Sequence, residues 1–294
     1  MADLIHTLKP KWESAKESLY LLARNKLSLL ALILLLGIVL GALFAPLIVP
    51  YPEDIADAAH TEIKLEAPSS EHLMGTDELG RDLFSRVIYG ARISLTAAIA
   101  AVGLALIIGI PLGAIAGALG GVADNVIMRI TDVFLSFPPL LLAIAMVAIL
   151  GSSLENAIIA ISLSWWPWYT RLIRGQAISV KERKFVQAAE TIGTSKTRII
   201  FSHIIPNCIS PVIVQASMDI GGVILTVASL SFLGLGAQLP SPEWGLMISM
   251  GRTYFPDKWW YCIFPGFAIF LTVLCFNLLG DAVREILDPK TRKK

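Results

Sequence analysis

The stretch ISLTAAIAAVGLALIIGIPLGAIAGALGGVA, residues 93–123, contains no charged side chain and decides the class of the fold. A transmembrane helix needs about 20 consecutive apolar residues to cross a hydrocarbon layer about 30 Å thick. A surface helix of a soluble protein carries charged residues on its outer face, so it is rarely uncharged over such a length. The stretch therefore predicts a helix that crosses a membrane.

The rest of the chain repeats this pattern. Of the 294 residues 55% are hydrophobic and 16% are charged, whereas soluble domains average about 25% charged residues. Asp219 is the only charged residue between Arg198 and Glu243. The other uncharged runs are 27–49, 133–154, 156–170 and 259–280. Together the runs predict an all-α integral membrane protein with six transmembrane helices in a lipid bilayer.

Basic residues are distributed unequally between the segments that separate these runs. Alternate segments hold 18 Lys and Arg on one predicted side of the membrane and 6 on the other. Because basic flanks remain on the cytoplasmic side, the richer set should face the cytoplasm. The sequence thus predicts a multi-pass protein of the cell (inner, cytoplasmic) membrane with both termini cytoplasmic, which requires an even number of spans.

The predicted organisation follows from these boundaries. The predicted segments are a cytoplasmic N-terminal segment at 1–26, a first transmembrane helix at 27–49, an external segment at 50–92, a five-helix core at 93–281 that includes a cytoplasmic loop at 175–206, and a cytoplasmic tail at 282–294. The run 156–170 is the shortest, and a helix of that length reaches only about 22 Å. We expect it to extend to Arg171, with its cluster of aromatic residues lying near the inner interface: Trp165, Trp166, Trp168 and Tyr169.

Small residues recur every four positions in the second run. This spacing places them on one side of a helix, and small side chains allow transmembrane helices to approach closely. We expect a compact bundle from this pattern and draw no other function from it. The members are Ala101, Ala105, Gly109, Gly113, Gly117 and Gly121.

The loop at 175–206 contains a helix signal outside the predicted spans. Ser179 and Glu182 have the spacing of a capping box, which predicts a helix from Arg183 to Ile192. Gly193 can close that helix in the left-handed conformation. Thr194 or Ser195 can then cap a second helix that ends before Pro206. The apolar residues of the first helix form a face that no span should cover, and it is predicted to dock on a partner: Phe185, Ala188, Ala189 and Ile192.

These residues carry a resemblance to a known family. The run Gln187-Ala-Ala-Glu-Thr-Ile-Gly193, followed by Ile205-Pro206, resembles the cytoplasmic EAA loop of ABC importer permeases. The chain has Gln187 where that motif has Glu, and His203 where it has Ile. The resemblance implies that the loop is a coupling helix that inserts into a cleft on an ATPase subunit. The implied ATPase-coupling residues are Phe185, Gln187, Ala188, Ala189, Glu190, Gly193, Ile205 and Pro206.

Further blocks narrow the resemblance. The run Gly75-Thr-Asp-Glu-Leu-Gly-Arg-Asp82 is similar to the segment before the second span in C-type subunits of dipeptide, oligopeptide and nickel importers. The runs Phe232–Ala237, Pro240–Gly245 and Phe276–Asp281 resemble the same subunits. We expect the first block to pack against the rim of the bundle rather than to contact substrate. Its motif residues are Gly75, Asp77, Gly80, Arg81, Asp82 and Arg86.

Membership of this family would have definite consequences. It implies the type I ABC importer permease fold and half of a translocation pathway for di- or oligopeptides or a related small solute. The implied partners are a homologous second permease, two ATP-binding subunits that hold the ATP and Mg, and an extracytoplasmic substrate-binding protein. The residues do not distinguish dipeptides, oligopeptides, D-amino-acid dipeptides, glutathione and nickel as substrates.

Other classes of function find little support in the sequence. The chain has no Walker A motif, and its four histidines have no metal-binding spacing, so we expect neither an enzyme nor a metal or cofactor site on this chain. The chain has no basic stripe with interleaved aromatic residues, so the sequence does not predict binding to nucleic acid. Asp219 lies about mid-span, where it could line a pathway or form a structural hydrogen bond. The alternative function is a secondary transporter that uses Asp219 as its ion site.

Overall fold

The computed structural model describes residues 25–287. Within that range every regular element is helical, and a β-bridge joins Thr76 to Asp82. The helices are α1 (Lys26–Leu43), α2 (Ala45–Ile48), α3 (Leu83–Leu119), α4 (Gly121–Leu135), α5 (Pro139–Leu150), α6 (Leu154–Lys181), α7 (Lys184–Thr191), α8 (Lys196–Ile199), α9 (Ile205–Phe232), α10 (Trp244–Gly251) and α11 (Trp260–Leu287). A π-helical segment, Ile200–Ile204, joins α8 to α9.

Within residues 25–287, four helices are long and apolar enough to cross a membrane: α1, α3, the continuous helix Lys196–Phe232 and α11. The pair α4 and α5, bent by 89°, adds a fifth if the two are one span. Helix α6 is long enough, but its apolar residues are interrupted by Arg171 and Arg174, and it is not among these candidates. The sixth span therefore stays a prediction, which rests on α6.

Several helix boundaries differ from the predicted ones. Helix α3 begins inside the segment predicted as external, because the Asp82 carboxylate accepts a hydrogen bond from the Ser85 N–H at 2.7 Å and caps the helix there. The first predicted span is divided at Phe44 into α1 and the short α2. The third predicted run is divided as well, since α4 ends at Leu135 and α5 starts at Pro139.

The predicted stripe of small residues lies where α3 packs along α6. A Cβ atom added to Gly109, Gly113 or Gly117 would come within 2.7 Å of an atom of α6. The close approach predicted from the four-residue spacing is therefore confirmed for these three positions. Gly121 is not part of the contact, because it starts α4 and nothing lies within 4 Å of its added Cβ.

The buried apolar side chains form two clusters. The larger one fills the bundle between α3, α5, α6, α9, α10 and α11. The smaller one lies where α3 and α6 end, and it joins them to α7, α8 and the start of α9. The segment between α6 and α9, residues 182–204, is thus part of a hydrophobic cluster, and we call it the connecting segment.

The connecting segment differs from its prediction at both ends. Ser179 lies inside α6, which continues to Lys181, so the predicted capping box does not form. At the other end the chain remains helical through Pro206 instead of ending before it. A proline cannot donate a backbone hydrogen bond, and its ring disturbs the preceding α-helical turn. The wider π turn, in which the Ile205 N–H is bonded to the Ile200 carbonyl, precedes this proline.

Candidate functional site

Gly193 ends α7 in the left-handed conformation that the sequence predicts. Its φ is +79°, and the Thr194 N–H donates to the Ala189 carbonyl at 3.0 Å. A residue with a side chain adopts this conformation at a cost of about 1–2 kcal/mol. No atom lies within 4 Å of a Cβ placed on Gly193, so glycine is favoured here by the backbone conformation alone and not by packing. Ser195 then caps α8 by accepting from the Arg198 N–H.

Helix α7 has one side on the bundle and one side open. Val186 and Ala189 are buried in the smaller apolar cluster. Phe185 is 42% exposed and Ile192 is 82% exposed. The predicted apolar face is therefore wrong in part: Ala189 faces inward, and Val186 is its inward neighbour. The prediction missed this because the ends of α3 and α6 lie beneath α7.

The remaining motif residues of this region lie around the open side. Gln187, Ala188 and Glu190 are exposed, and the Gln187 amide donates a 3.4 Å hydrogen bond to the Glu182 carbonyl. Ile205 is half-buried and Pro206 is exposed at the start of α9. We call Phe185, Ala188 and Ile192 the outer face of α7.

A second group of motif residues forms a buried ion-pair cluster at the start of α3. Asp77 is fully buried, and its carboxylate accepts from the N–H groups of Leu79 and Arg81, each at 2.9 Å. The Arg81 Nε donates to the same carboxylate at 2.7 Å. The Arg86 Nε lies 3.5 Å from it. Asp77 thus holds two arginines that are themselves buried.

The cluster extends to an earlier part of the chain through two histidines. The Asp54 carboxylate accepts from the Asp82 N–H at 2.8 Å and contacts the His60 Nε2 at 2.9 Å. The His72 Nδ1 lies 3.0 Å from the Asp82 carboxylate. Asp82, which caps α3, is therefore itself held by residues of the loop before it.

Two glycines of this block are required by close approach. A Cβ on Gly75 would lie 2.5 Å from the Glu66 carbonyl oxygen, and one on Gly80 would lie 1.9 Å from that of His60. Both glycines also have positive φ. Both glycines are therefore closely packed against the chain before them, and the structural role of the block stays a prediction.

Residues far along the chain complete this end of the bundle. The Arg86 guanidinium donates to the Pro240 carbonyl at 3.1 Å, and the Trp244 indole N–H donates to the Val87 carbonyl at 2.9 Å. The Tyr261 hydroxyl donates to the Glu78 carboxylate. These bonds tie the start of α3 to α10 and α11.

Glu243, at the start of α10, is a buried carboxylate of this region. It accepts from the Leu246 N–H at 2.9 Å and from the Ser94 hydroxyl at 3.2 Å. Burial raises the pKa of the Glu243 carboxyl above its usual range, and these hydrogen bonds act in the opposite direction. The group thus joins α10 to α3 through its two oxygens.

Sequence reasoning did not find most partners in this cluster. The motif resemblance identified one side of each contact, but the other side comes from distant residues whose types give no local signal. The missed partners outside the quoted motif runs are Asp54, His60, His72 and Tyr261.

Asp219 lies between α6 and α9, where it is both hydrogen-bonded and in contact with a cavity. Its carboxylate accepts from the Tyr169 hydroxyl at 2.7 Å and from the Gln215 amide at 2.8 Å. The same side chain lines a cavity of about 550 Å³. Asp219 therefore forms hydrogen bonds to α6 and within α9 and also lines the cavity, and its role as a pathway residue stays a prediction.

The cavity wall includes two of the four aromatic residues expected near the inner interface. Trp165 and Trp168 line it, together with Arg171, Leu172 and Gln215. The expected position of the four aromatic residues near the inner membrane interface stays a prediction, but their surroundings differ. Trp166 packs against Phe134 in the core, and Tyr169 is fully buried. Between residues 25 and 287, no group of three or more His, Cys, Asp or Glu side chains could hold a metal ion.

Comparison with known proteins identifies the family. Residues 109–293 match the family described as "Binding-protein-dependent transport system inner membrane component". Residues 15–68 match a second family, described as the N-terminal TM domain of oligopeptide transport permease C. The two matches together extend over most of the chain.

Named relatives agree with these families. The dipeptide transport system permease protein DppC of Alkalihalophilus pseudofirmus is 48% identical, over 94% of this chain and 90% of its own length. The probable D,D-dipeptide transport system permease protein DdpC of Escherichia coli is 46% identical, over 94% and 91%. The glutathione transport system permease protein GsiD of Pectobacterium atrosepticum is 49% identical, over 77% and 75%.

A solved structure has the same fold. An inward-facing MetNI methionine ABC transporter matches with a TM-score of 0.54 and 17% identity, over 70% of this chain and 97% of the matched chain. The fold is the all-helical type I importer permease fold, and nothing here supports the secondary-transporter alternative. ATP hydrolysis resides on separate subunits in this family, so the chain itself is not catalytic. The chain belongs to the binding-protein-dependent transport system inner membrane components, and it is a permease subunit of an ABC importer.

Proposed function

We propose that this permease forms half of a translocation pathway for short peptides and that a homologous second permease forms the other half. The support is the high identity to relatives named for dipeptide, D,D-dipeptide and glutathione transport. Two ATP-binding subunits drive the pair, one beneath each permease. An extracytoplasmic binding protein delivers the peptide to the opposite end.

The proposed orientation places both termini and the connecting segment in the cytoplasm of the cell. The unequal distribution of Lys and Arg supports it. The buried ion-pair cluster then lies on the external side. Lys64 and Lys184 are both exposed on the protein surface, so only the membrane should decide whether a reagent reaches them. An impermeant thiol reagent added outside should therefore label Lys64→Cys and leave Lys184→Cys unlabelled.

Coupling to the ATPase is assigned to the outer face of α7. The observation that carries this assignment is the exposure of Ile192 and Phe185 on a helix whose other side is anchored by Val186. An exposed apolar face that is rigidly held can bind a cleft at little entropic cost. The anchoring cluster would transmit a displacement of α7 to the ends of α3, α6 and α9.

The same connection reaches the cavity at Asp219. Helix α6 leads directly into the connecting segment, and α9 leads out of it. The cavity is lined by residues of these two helices. Closure of the ATPases would therefore move both walls of the cavity, which is what alternating access requires. In this account Asp219 lines the pathway.

Substitution of Ile192 tests the coupling assignment. Ile192→Ser removes an exposed apolar contact, so the permease should insert and assemble with its partner permease normally. Loss of one interface anchor costs about 2 kcal/mol or more of binding free energy. In purified complex in lipid, the Ile192→Ser permease should retain a smaller amount of bound ATPase subunit. It should also lose the stimulation of ATP hydrolysis by loaded binding protein.

The matched control is Leu73→Ser, which removes an apolar side chain that is 59% exposed in the loop before α3. The Leu73→Ser permease should retain as much bound ATPase subunit as the unsubstituted permease. If Ile192→Ser retained as much bound ATPase subunit as the unsubstituted permease and showed the same stimulation of ATP hydrolysis, the assignment would be contradicted.

A further inference from the structure

The Asp219 carboxylate is held by hydrogen bonds from two neighbouring side chains. Tyr169 and Gln215 each donate to one of its oxygens. Among residues 25–287, no Lys, Arg or His lies within ion-pair distance of it. An ionised carboxylate accepts about four hydrogen bonds, so two donors leave acceptor capacity that faces the cavity.

Among the described residues that line the cavity, Arg171 is the one cation, and it is already paired. The Arg171 guanidinium lies 2.6 Å from the Asp132 carboxylate on α4, and both side chains are about half exposed. Its charge is therefore compensated by Asp132. Around Asp219 the described part of the cavity wall therefore offers no unpaired cation to the carboxylate.

Two indole rings lie beside this carboxylate in the cavity wall. Trp165 and Trp168 both line the cavity, and Trp168 is 52% exposed. The face of an indole ring attracts cations, and a carboxylate forms charge-assisted hydrogen bonds with an ammonium group. The lining thus combines the two side-chain types that suit a primary ammonium ion.

We propose that the cavity at Asp219 is a transient binding site for the primary ammonium group of a substrate in transit, such as the amino terminus of a short peptide. This inference rests on the proposed function and adds a chemical requirement to it. The Asp219 carboxylate accepts from the ammonium group, while Tyr169 and Gln215 hold the carboxylate in place. Trp165 and Trp168 contact the adjoining part of the substrate.

The fixed orientation of the carboxylate explains how such a site can serve transport. Two hydrogen bonds from α6 and α9 hold its oxygens, so a displacement of either helix changes the position of the acceptor. A site that is assembled from two moving walls can bind in one state and release in the other. Transport then requires only that the affinity for the ammonium group is higher in the conformation that binds substrate than in the conformation that releases it.

Direct binding to the assembled transporter tests the inference. The complex, in lipid nanodiscs and without the binding protein, is mixed with alanyl-alanine or with N-acetyl-alanyl-alanine, and binding is measured by saturation-transfer NMR. We expect alanyl-alanine to bind and the acetylated peptide, which lacks the ammonium group, to bind at least about tenfold more weakly. Asp219→Asn should weaken alanyl-alanine binding by a similar factor and leave the acetylated peptide unaffected.

The matched control is Glu155→Gln, which makes the same charge change at an exposed position of α6 outside the cavity. It should bind alanyl-alanine as the unsubstituted complex does. Equal binding of both peptides, or normal binding in Asp219→Asn, overturns the inference. So does absence of binding together with loss of permease pairing in Asp219→Asn, which would assign a cation of the partner permease to this carboxylate.

The binding measurement also separates the inference from the function on which it rests. Binding is recorded without ATP hydrolysis, so a failure of coupling at α7 would leave the result unchanged. A transporter that couples normally but does not distinguish the two peptides would overturn the ammonium site alone.

Discussion

The buried ion-pair cluster and the outer face of α7 both contain the motif residues by which this chain resembles its family, yet the two regions are built in opposite ways. In the cluster, Asp77, Arg81 and Arg86 are buried and contact one another. On α7, Ile192 is 82% exposed and Phe185 is 42% exposed, with its ring 6.4 Å from that of His203. Motif residues can therefore serve the permease's own fold in one region and, in the coupling that we propose, a separate subunit in the other.

The glycines of the two regions show the same contrast. Gly80 and Gly193 both have a φ of +79°. An added Cβ would lie 1.9 Å from a carbonyl oxygen at Gly80, while at Gly193 it would meet nothing within 4 Å. Gly80 is required by both backbone and packing, whereas Gly193 is required by backbone conformation alone.

The largest expected effect is the loss of a charge in the ion-pair cluster. Asp77→Asn would leave Arg81 and Arg86 buried without their shared carboxylate. Removing one partner of a buried ion pair costs about 3–5 kcal/mol. We expect little assembled permease, measured as monodisperse protein after solubilisation.

The control for this prediction is Glu62→Gln, which changes an exposed carboxylate in the same loop. It should assemble normally. Normal yield and thermal stability of Asp77→Asn would contradict the structural role of the cluster and remove one side of the comparison.

A smaller effect is expected at Gly193. Valine there would cost about 1–2 kcal/mol in the left-handed conformation, so the connecting segment should adopt another turn and misplace the outer face of α7. Gly193→Val should assemble but lose stimulated ATP hydrolysis.

Gly193→Asn is the matched variant for this position. Asparagine tolerates the left-handed region better than other residues with a side chain, and the space around the Cβ position is empty. It should retain most of the stimulation. Similar losses in both variants would show that the side chain rather than the backbone matters at this turn.

The smallest effect concerns pH and Glu243. Because burial raises the pKa of this carboxyl, the folded state retains its proton at a pH where the unfolded chain, with a Glu pKa of about 4.3, has lost it. The contribution of Glu243 to stability therefore decreases as pH rises from the unfolded pKa to the raised folded one.

Glu243→Gln carries no titrating group and has nearly the same shape. The melting temperature of the unsubstituted complex should fall relative to that of Glu243→Gln over the pH interval above the unfolded Glu pKa of about 4.3. A constant difference between the two across this interval would contradict the raised pKa.

The sequence predicted those features that depend on local pattern. Uncharged runs indicated the membrane helices, the four-residue spacing of Gly109, Gly113 and Gly117 indicated close packing, and Gly193 indicated the turn. Each depends on backbone geometry or on hydropathy, both of which are local properties of the chain.

Other features depend on what lies next to a residue in space, and the sequence could not supply that. Periodicity gave α7 an apolar face but could not show that Val186, rather than Phe185, meets the ends of α3 and α6. The hydrogen bond of Asp219 to Tyr169 likewise joins residues on different helices. Such pairs are fixed by tertiary packing, for which a single sequence carries no direct signal.

The central claim is that an ATPase subunit covers the outer face of α7. Cysteine labelling tests it most directly, in a background in which Cys208, Cys262 and Cys275 are replaced. We expect a maleimide to label Ile192→Cys in the permease pair alone and to label it far more slowly once the ATPase subunits are bound.

Two further cysteines make the result specific. Val186→Cys, buried on the opposite side of the same helix, should remain unlabelled in both states, and Leu73→Cys in the loop before α3 should be labelled equally in both. Protection of Ile192→Cys alone is the result that the account predicts. An unchanged labelling rate at Ile192→Cys in the fully assembled, ATP-hydrolysing transporter would contradict it.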